Sequence, residues 1–414
     1  MPKKDLSLDN IGATMIAFSF WTLCISDLLL SIGDSRSQYI KITGYVILLL
    51  AISLRPRFHR RIYLAFPLTF CFSIGMIRTF NMAAGIDELL RFMFPLVITF
   101  AIYAYRESLE VLLSSLILIA LTNNIFQCYF YFSYASGLPL LLPARLDNGV
   151  LLRAQGWIGF FSEYAFLNFC AFITLREFGK GRASKYLANT FLLFSILAFS
   201  LKLIAVTAAY PLLKNNSKGR FILLSLALIS TLTLLQGSQI TPYTNIIQSK
   251  ISLYLTEGNS ARTESYRVMA ESLSNFNILG EGLGGFGGPA STTYNSPLYS
   301  KYNFNWFGLE GILKTTDTFY PHLFVELGLL GGTIWLYMVI LYGQGKNRNA
   351  LWWYVLLAFC IDNLASMGFL SPAYVFSAIL VMYSLSYKSH INSFWGCRGK
   401  THKNPISHTG HKQI

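Results

Sequence analysis

The segment Ile11–Ile32 reads IGATMIAFSFWTLCISDLLLSI, and Asp27 is its one charged residue. A run of this length and apolarity matches the roughly 20 residues with which a helix crosses a hydrocarbon core of about 30 Å. Comparable runs follow at Val111–Ser133 and Leu323–Tyr342. Because no water reaches that depth, the backbone must satisfy its own hydrogen bonds, so each run is predicted to be a helix. The predicted fold class is an all-α polytopic membrane protein.

Composition favours the same class. Of the 414 residues, 53% are hydrophobic and 13% are charged, which lies outside the usual balance of a soluble domain. The first apolar run has no small-residue cleavage site before the next polar segment, so we expect it to remain as a helix and not to be removed as a signal peptide.

The formal net charge of +14 is distributed in short clusters between the apolar runs. This distribution argues against a nucleic-acid partner, because the clusters recur on one side of the predicted spans, as in cytoplasmic segments. Both termini are therefore predicted to face the cytoplasm, which requires an even number of spans. The clusters are Lys3 and Lys4; Arg55, Arg57, Arg60 and Arg61; Lys180, Arg182 and Lys185; Lys214, Lys218 and Arg220; Lys346 and Arg348; and the tail from Lys388 to Lys412.

Twelve spans are predicted from hydropathy and charge together. Two short ones meet near Lys202 and indicate a broken or re-entrant pair. The chain then divides into nine membrane segments within 1–236, an external loop at 237–322, three helices within 323–387 and a basic cytoplasmic tail at 388–414. The spans are 11–32, 40–54, 62–78, 89–105, 111–133, 161–176, 186–201, 203–213, 221–236, 323–342, 350–367 and 370–387.

The external loop carries most of the polar chemistry. A structureless loop of that length is improbable in a compact protein, and Thr263–Asn275 has a helical rhythm that places Tyr266, Met269, Ala270 and Leu273 on one face. The run LGEGLGGFGG ends at Gly288 and contains a GxGxxG match. It does not lie in a strand-turn-helix unit, so we expect a tight turn that approaches another segment closely, and not a nucleotide site.

Cofactors and metals are not expected. Five of the six cysteines lie in apolar spans and Cys397 lies in the tail, so no disulfide or metal-ligand spacing is evident. Acidic residues and histidines show no ligand pattern either.

Charged residues cluster toward the predicted outer face. Each could equally be a structural ion pair or a snorkelling side chain, but several converging cations suit a diphosphate, because arginine offers a planar fork to phosphate oxygens and lysine a point charge. A neighbouring carboxylate or imidazole could accept the proton of a sugar hydroxyl. The residues are Arg78, Arg91, Arg153, Glu163, Lys202, Arg262, Arg267, Asp317, His322 and Glu326.

Three segments carry a resemblance to a known superfamily. They are SARTESYRVMAESLSNFNILGEGLGGFG from Ser260, TTDTFYPHLFVELGLLGG from Thr315, and RAQGWIGFFSEYAFLN from Arg153. Together with the Arg91-Phe92 pair, they resemble the O-antigen ligase and Wzy-type polymerase superfamily over residues 87–342, most sharply over 259–332.

The resemblance implies a GT-C type, metal-independent, inverting glycosyltransferase with 12 helices in the bacterial inner membrane. It would transfer a glycan from undecaprenyl diphosphate to an acceptor hydroxyl that is itself lipid-linked, and a chain-length regulator is an implied partner. By matching position, Arg262 would contact the diphosphate. Arg153 and Lys202 would assist, and Arg91 and Arg267 are further candidates.

Two departures from the family pattern bear on the branch. The segment FSLKLIAV has Lys202 where many relatives have arginine, which gives up bidentate binding. Ligases place a His-Asn pair about nine residues before the Glu that ends the loop, whereas this chain has Asp317 there and His322 nearer the span. The polymerase branch is therefore favoured, with Asp317 or His322 as proton acceptor and Glu326 orienting the helix start or pairing with an arginine.

Three alternatives stay open. A ligase that joins polymer to the lipid A core differs mainly in its acceptor. A flippase or transporter would also have intramembrane charges and broken helices, although a long folded loop is unusual for that class. For Asp317, a helix N-cap is the structural alternative to a catalytic role.

Overall fold

The computed structural model describes residues 6–143, 146–147, 151–213, 260–345, 348–388 and 391. Regular structure in these ranges is almost entirely helical. The exception is an antiparallel pair that joins Leu146–Asp147 to Leu151–Leu152, with Leu146 opposite Leu152. The first helices are α1 (Leu6–Ser31), α2 (Ser37–Leu54), α3 (Ala65–Ile77), α4 (Met82–Ala104), α5 (Leu109–Ala135), α6 (Phe161–Phe178), α7 (Gly181–Leu197) and α8 (Leu201–Leu213).

The second half begins with three helices within residues 260–318, the described part of the predicted external loop, which we call the external segment, and continues with three apolar helices. Short 3₁₀ turns lie at Arg60–Leu64, Asn363–Ala365 and Gly368–Leu370. The helices are α9 (Ala261–Ser274), α10 (Pro289–Thr293), α11 (Leu298–Lys301), α12 (Phe319–Ile340), α13 (Ala350–Asp362) and α14 (Pro372–Ser386).

Five helical stretches are long and apolar enough to cross a membrane: Asp9–Ser31, Ser37–Leu54, Arg60–Ile77, Leu109–Ala135 and Phe319–Ile340. Ala350–Ala365 and Pro372–Ser386 are shorter apolar helices. The protein is thus a helical membrane protein, as predicted, while the count of 12 spans stays a prediction. The predicted span 221–236 and the start of the external loop lie outside the described residues.

Helix α14 lies at the centre of the bundle. All of its side chains from Pro372 to Ser386 are buried, and it packs against α1, α4, α5, α6 and α13. Its Phe376 ring stacks on Phe20 of α1 with 4.2 Å between centroids. Proline at its first position suits a helix start, because proline has no N–H that would be left unpaired there. The start of α14 is therefore fixed in the core of the bundle.

The expected broken pair is present as α7 and α8, which are separated at residues 198–200. Helix α12, in contrast, was predicted only as the span 323–342, and it is broken at Gly328, which has φ 69° and ψ −179°. The N–H groups of Leu329 and Leu330 donate to the carbonyls of Asn277 and Ile278 at 3.1 and 3.0 Å. The external segment therefore supplies the hydrogen bonds that the break removes, as a membrane helix requires.

The external segment folds on the first half of α12 and has its own apolar core. That core comprises Val268, Phe286, Tyr299, Tyr302, Phe304 and Val325. The predicted helix at Thr263–Asn275 is confirmed as α9, although its buried residues are Ser265, Val268 and Ser272 and not the predicted face. Tyr266 of α9 donates its hydroxyl to the carbonyl of Leu364 at 2.7 Å, which holds α9 over the end of α13.

Candidate functional site

Arg262 and Asp317 form an ion pair between the first turn of α9 and the segment before α12. The Ser260 hydroxyl caps α9 by accepting the Thr263 N–H at 3.2 Å, which fixes where Arg262 projects. Its Nη2 lies 3.4 Å from Asp317 Oδ2, and the Asp317 side chain is 58% exposed. Asp317 also accepts the hydroxyl of Thr315 at 3.0 Å. Solvent therefore reaches both members of this ion pair, and the carboxylate is the more exposed of the two.

Lys202 lies beside this pair. Its Nζ is 3.0 Å from Asp362 Oδ1 and donates to the carbonyls of Asp362 and Ala365 at 2.5 and 3.2 Å. The charge of Lys202 also interacts with those of Arg262 and Asp317. The turn whose Ala365 carbonyl binds Lys202 also binds Tyr266 of α9 through the Leu364 carbonyl, so the three residues singled out from sequence lie in one region of the fold.

Asp362 is the buried partner of Lys202. Its side chain is 1% exposed, and it accepts the Tyr374 hydroxyl at 2.8 Å, the Ser366 hydroxyl at 3.3 Å and the Ser162 hydroxyl at 3.4 Å. A buried carboxylate needs such partners, because losing water is costly for a charge. Lys202 is thus both a structural cation and a member of the outer charged group.

His322 and Glu88 form a second, fully buried group. His322 Nδ1 lies 2.6 Å from the carbonyl of Phe286, and Nε2 lies 3.0 Å from Glu88 Oε1. Neither side chain has exposed surface. Since a carbonyl oxygen can only accept, Nδ1 carries a proton. Both ring nitrogens are occupied, so a role for His322 as proton acceptor stays a prediction that this arrangement does not favour.

Glu326 holds the glycine-rich run and pairs with no arginine among the described residues. Its Oε1 accepts the N–H of Phe286 at 2.8 Å, and its Oε2 accepts that of Gly284 at 3.1 Å. His322 Nδ1 lies 3.6 Å from the same carboxylate. Of the two roles expected for Glu326, an arginine partner is not found among the described residues. Glu326 instead lies within α12 and binds backbone amides, and its expected role in orienting the helix start stays a prediction.

The predicted close approach of the glycine run is confirmed. Gly284 has φ +72°, and a Cβ at this position would lie 2.5 Å from the carbonyl oxygen of Ala84 in α4. A larger residue would have to move one of the two backbones. The run therefore joins α4 to α12, with Glu326 on its other side.

Arg91 connects the buried group to the surface. Its Nη1 lies 3.2 Å from Glu88 Oε2, one helical turn earlier, and its side chain is 27% exposed. Glu88 was missed as a site residue in the sequence, although its spacing of three from Arg91 was an available signal. Arg91 is thus associated with His322 through Glu88, and not directly with Arg262.

Arg267 belongs to the framework of the external segment. It contacts Glu264 and Glu271 at 2.6 Å each and donates to the carbonyl of Tyr302 at 2.6 Å. Burial raises the pKa of Glu264, but the hydrogen bonds from Arg267 and from the N–H of Asn305 outweigh burial, so the pKa is lowered overall. These contacts stabilise the fold of the loop, and diphosphate binding by Arg267 stays a prediction.

Arg153 fixes the break between α7 and α8. Its guanidinium donates to the carbonyls of Ala198 and Phe199 at 3.1 and 2.9 Å and lies 3.5 Å from the centroid of the Phe161 ring. These carbonyls end α7 and precede the turn that leads to Lys202. The contacts indicate that Arg153 positions Lys202, and a direct role toward diphosphate stays a prediction.

Asp317 does not cap α12. The N-cap position belongs to Thr318, and Asp317 has φ +55°, a conformation in which aspartate and asparagine are enriched. The capping alternative is therefore wrong, and the partners of Asp317 are Arg262 and Thr315.

Comparison with known proteins adds no relatives. No protein-family model matches the chain, and no curated protein matches it. Within the part of the chain that the structure describes, no group of three or more His, Cys, Asp or Glu side chains could hold a metal ion. Function is therefore inferred from the residues themselves.

Proposed function

We propose that this protein is a GT-C type, inverting glycosyltransferase that polymerises undecaprenyl-diphosphate-linked oligosaccharide repeats into O-antigen or a related surface polysaccharide. The observation that carries the proposal is that Arg262, Lys202 and Asp317 lie in one region, where α9 contacts the turn after α13. The resemblance of the segments around Arg153, Arg262 and Asp317 to ligases and polymerases supports the same chemistry.

Departure of a lipid diphosphate requires cations where negative charge develops. Arg262 presents a forked donor that matches phosphate oxygens. Its ion pair with Asp317 is exposed, and such pairs contribute only about 0 to 1 kcal/mol, so a diphosphate can displace the carboxylate from the guanidinium. Lys202, held by two carbonyls and Asp362, adds a second positive charge at a fixed place.

The acceptor hydroxyl must lose its proton as its oxygen bonds to the sugar. Asp317 is the best-placed proton acceptor of the three candidates, because its carboxylate is accessible and lies beside the diphosphate-binding arginine. His322 and Glu326 are fully buried and bind the glycine run. Asp317 would thus be freed for the hydroxyl when the diphosphate takes Arg262.

The proposed location is the bacterial inner membrane, with both termini in the cytoplasm and the external segment in the periplasm. The basic clusters carry that orientation. A phosphatase reporter fused within Pro289–Tyr302 should be active, and one fused after Arg61 should be inactive. The reverse pattern would contradict the proposed orientation.

A deletion strain of the parent organism tests the activity. We expect surface glycolipid with a single repeat per core on a polysaccharide gel. Loss of polymer from the core, with polymer still made, would indicate a ligase, and repeat accumulating in the cytoplasm would indicate a flippase. Arg262→Ala should fail to restore polymer, whereas Arg36→Ala should restore it, since Arg36 is an exposed arginine whose partner is Asp34.

A further inference from the structure

A second set of charged side chains lies near Asp362, the partner of Lys202, and has no role in the function proposed above. It consists of Asp27 in α1, Lys41 in α2 and Glu163 in α6. Each lies close to the end of its helix: Asp27 four residues before the end of α1, Lys41 four after the start of α2 and Glu163 two after the start of α6. We call these three residues and Tyr45 the Asp27 group.

Asp27 is buried with an unsatisfied oxygen. The residue is 9% exposed, and its Oδ2 has no hydrogen-bond partner among the residues that the structure describes. The carboxylate lies next to the backbone N–H of Ala373, at the start of α14. The positive end of a helix dipole favours a negative charge there, which explains how a carboxylate is kept in the bundle without satisfying both oxygens.

Tyr45 provides a second unsatisfied group. The residue is 4% exposed, its hydroxyl has no partner in the described ranges, and it interacts electrostatically with Asp27. Its ring stacks on Phe94 with 3.7 Å between centroids. A buried phenol normally finds a hydrogen-bond partner, so this hydroxyl is available to a polar ligand.

Lys41 faces the same place from α2. Its ammonium lies 5.4 Å from the centroid of the Phe94 ring, and its charge interacts with those of Asp27 and Glu163. No hydrogen bond or ion pair joins the Lys41 ammonium to any described side chain or backbone group. A group placed between these opposite charges would accept from the Lys41 ammonium and donate to the Asp27 carboxylate.

The charges of the Asp27 group limit which chemical class of ligand can bind there. A hydroxyl donates to a carboxylate and accepts from an ammonium, so a sugar with several hydroxyls satisfies Asp27, Lys41 and Tyr45 together. A phosphate is disfavoured, because three carboxylates, those of Asp27, Glu88 and Glu163, interact with Lys41. An acyl chain is disfavoured because it would leave every charge unpaired.

We propose that the Asp27 group is a binding subsite for the acceptor sugar. The inference rests on the proposed polymerase function, because it assigns a place to the second substrate. The start of α6 connects the two sites. The charge of Glu163 interacts with those of Asp27 and Asp362, and the hydroxyl of the preceding Ser162 lies 3.4 Å from Oδ2 of Asp362, the partner of Lys202. A sugar on the Asp27 group would therefore lie beside the cations that bind the diphosphate of the donor.

The test measures the two ligands separately on purified full-length protein in nanodiscs. The probes are the single repeat, released from its lipid carrier by mild acid, and undecaprenyl diphosphate, each titrated calorimetrically. Asp27→Asn and Lys41→Met should weaken binding of the repeat about tenfold, the scale of one lost charged hydrogen bond, and should leave binding of undecaprenyl diphosphate unchanged. Arg262→Ala should give the opposite pattern, and Asp34→Asn, which changes a carboxylate of the α1–α2 connection that pairs with Arg36, should change neither.

Tyr45→Phe is a second variant that should fold normally. It removes a hydroxyl that has no protein partner among the described residues, so the melting temperature should not fall, while binding of the repeat should weaken several-fold. Unchanged affinity for the repeat in Tyr45→Phe and in a folded Asp27→Asn would overturn the subsite. It would indicate that bound water satisfies these polar groups. If the wild type binds the repeat through Asp27 but never polymerises, the proposed function fails and the sugar site stands.

Discussion

The Glu326 carboxylate accepts the backbone N–H of Phe286 at 2.8 Å, which joins a helix that reaches into the membrane to the external segment above it. The same carboxylate accepts the N–H of Gly284 at 3.1 Å. His322 binds the same residue through its carbonyl group: His322 Nδ1 donates to the Phe286 carbonyl at 2.6 Å. Together these bonds position the segment that carries Asp317.

Glu326→Gln should destabilise the protein. Glutamine has one acceptor oxygen for two N–H donors, and its NH₂ group would face the second donor, so the loss should be about 1.5 to 3 kcal/mol, the range for a hydrogen bond to a charged group. The melting temperature in detergent measures the effect, with Glu310→Gln, at an exposed site, as control. Normal melting with complete loss of polymer would instead make Glu326 catalytic.

Gly284→Ala should disrupt the docking of the glycine run far more than Gly311→Ala. Both glycines have positive φ, +72° and +80°, but a Cβ at Gly284 meets the Ala84 carbonyl oxygen at 2.5 Å and one at Gly311 meets nothing within 4 Å. Gly311→Ala should therefore cost only the backbone penalty of about 1 to 2 kcal/mol. Limited proteolysis of the external segment compares the two, and equal protection would contradict the close packing on α4.

Lys202→Met should destabilise the bundle by about 3 kcal/mol or more, because it leaves the buried Asp362 carboxylate without its cation. Adding Asp362→Asn should restore most of the melting temperature but no polymer, because the positive charge near Arg262 remains absent. The control is Lys301→Met, which breaks the more exposed pair with Glu281 and should cost at most about 1 kcal/mol. Polymer recovered in the double variant would remove Lys202 from the site.

Asp317→Asn should abolish polymer and leave stability almost unchanged. The pair with Arg262 is exposed and contributes only about 0 to 1 kcal/mol, and asparagine tolerates the positive φ of this position. Polysaccharide gels and melting curves measure the two effects. A normal ladder of long chains would remove Asp317 as proton acceptor and return that role to His322.

The sequence was sufficient for the elements whose signals are local. Long apolar runs predicted the membrane helices, and the helical rhythm after Ser260 predicted α9 to within two residues. The break of α12 at Gly328 was missed, because the hydrogen bonds that permit it come from Asn277 and Ile278, about 50 positions earlier. Apolarity alone cannot reveal a partner that lies so far away in the chain.

The site was predictable as a set of residue types and not as a set of contacts. Arg262, Lys202 and Asp317 were named together because their charges lie toward one face, and the structure brings them together. Glu326 was expected to orient the helix start or to bind an arginine, yet its partners are backbone amides, which nearly every residue has and which leave no sequence signal. Asp27 was noted as a charge in a span, but the absence of a partner for its Oδ2 among the described residues is visible only in three dimensions.

The most direct test of the central claim is polymerisation by the purified protein in liposomes, with lipid-linked repeat as the only substrate. Wild type should convert it to a ladder of longer chains and release one undecaprenyl diphosphate per bond formed. Arg262→Ala should give no ladder at an unchanged melting temperature, and Arg36→Ala should behave as wild type. Wild-type protein that binds the lipid-linked repeat but leaves it unextended would contradict the account.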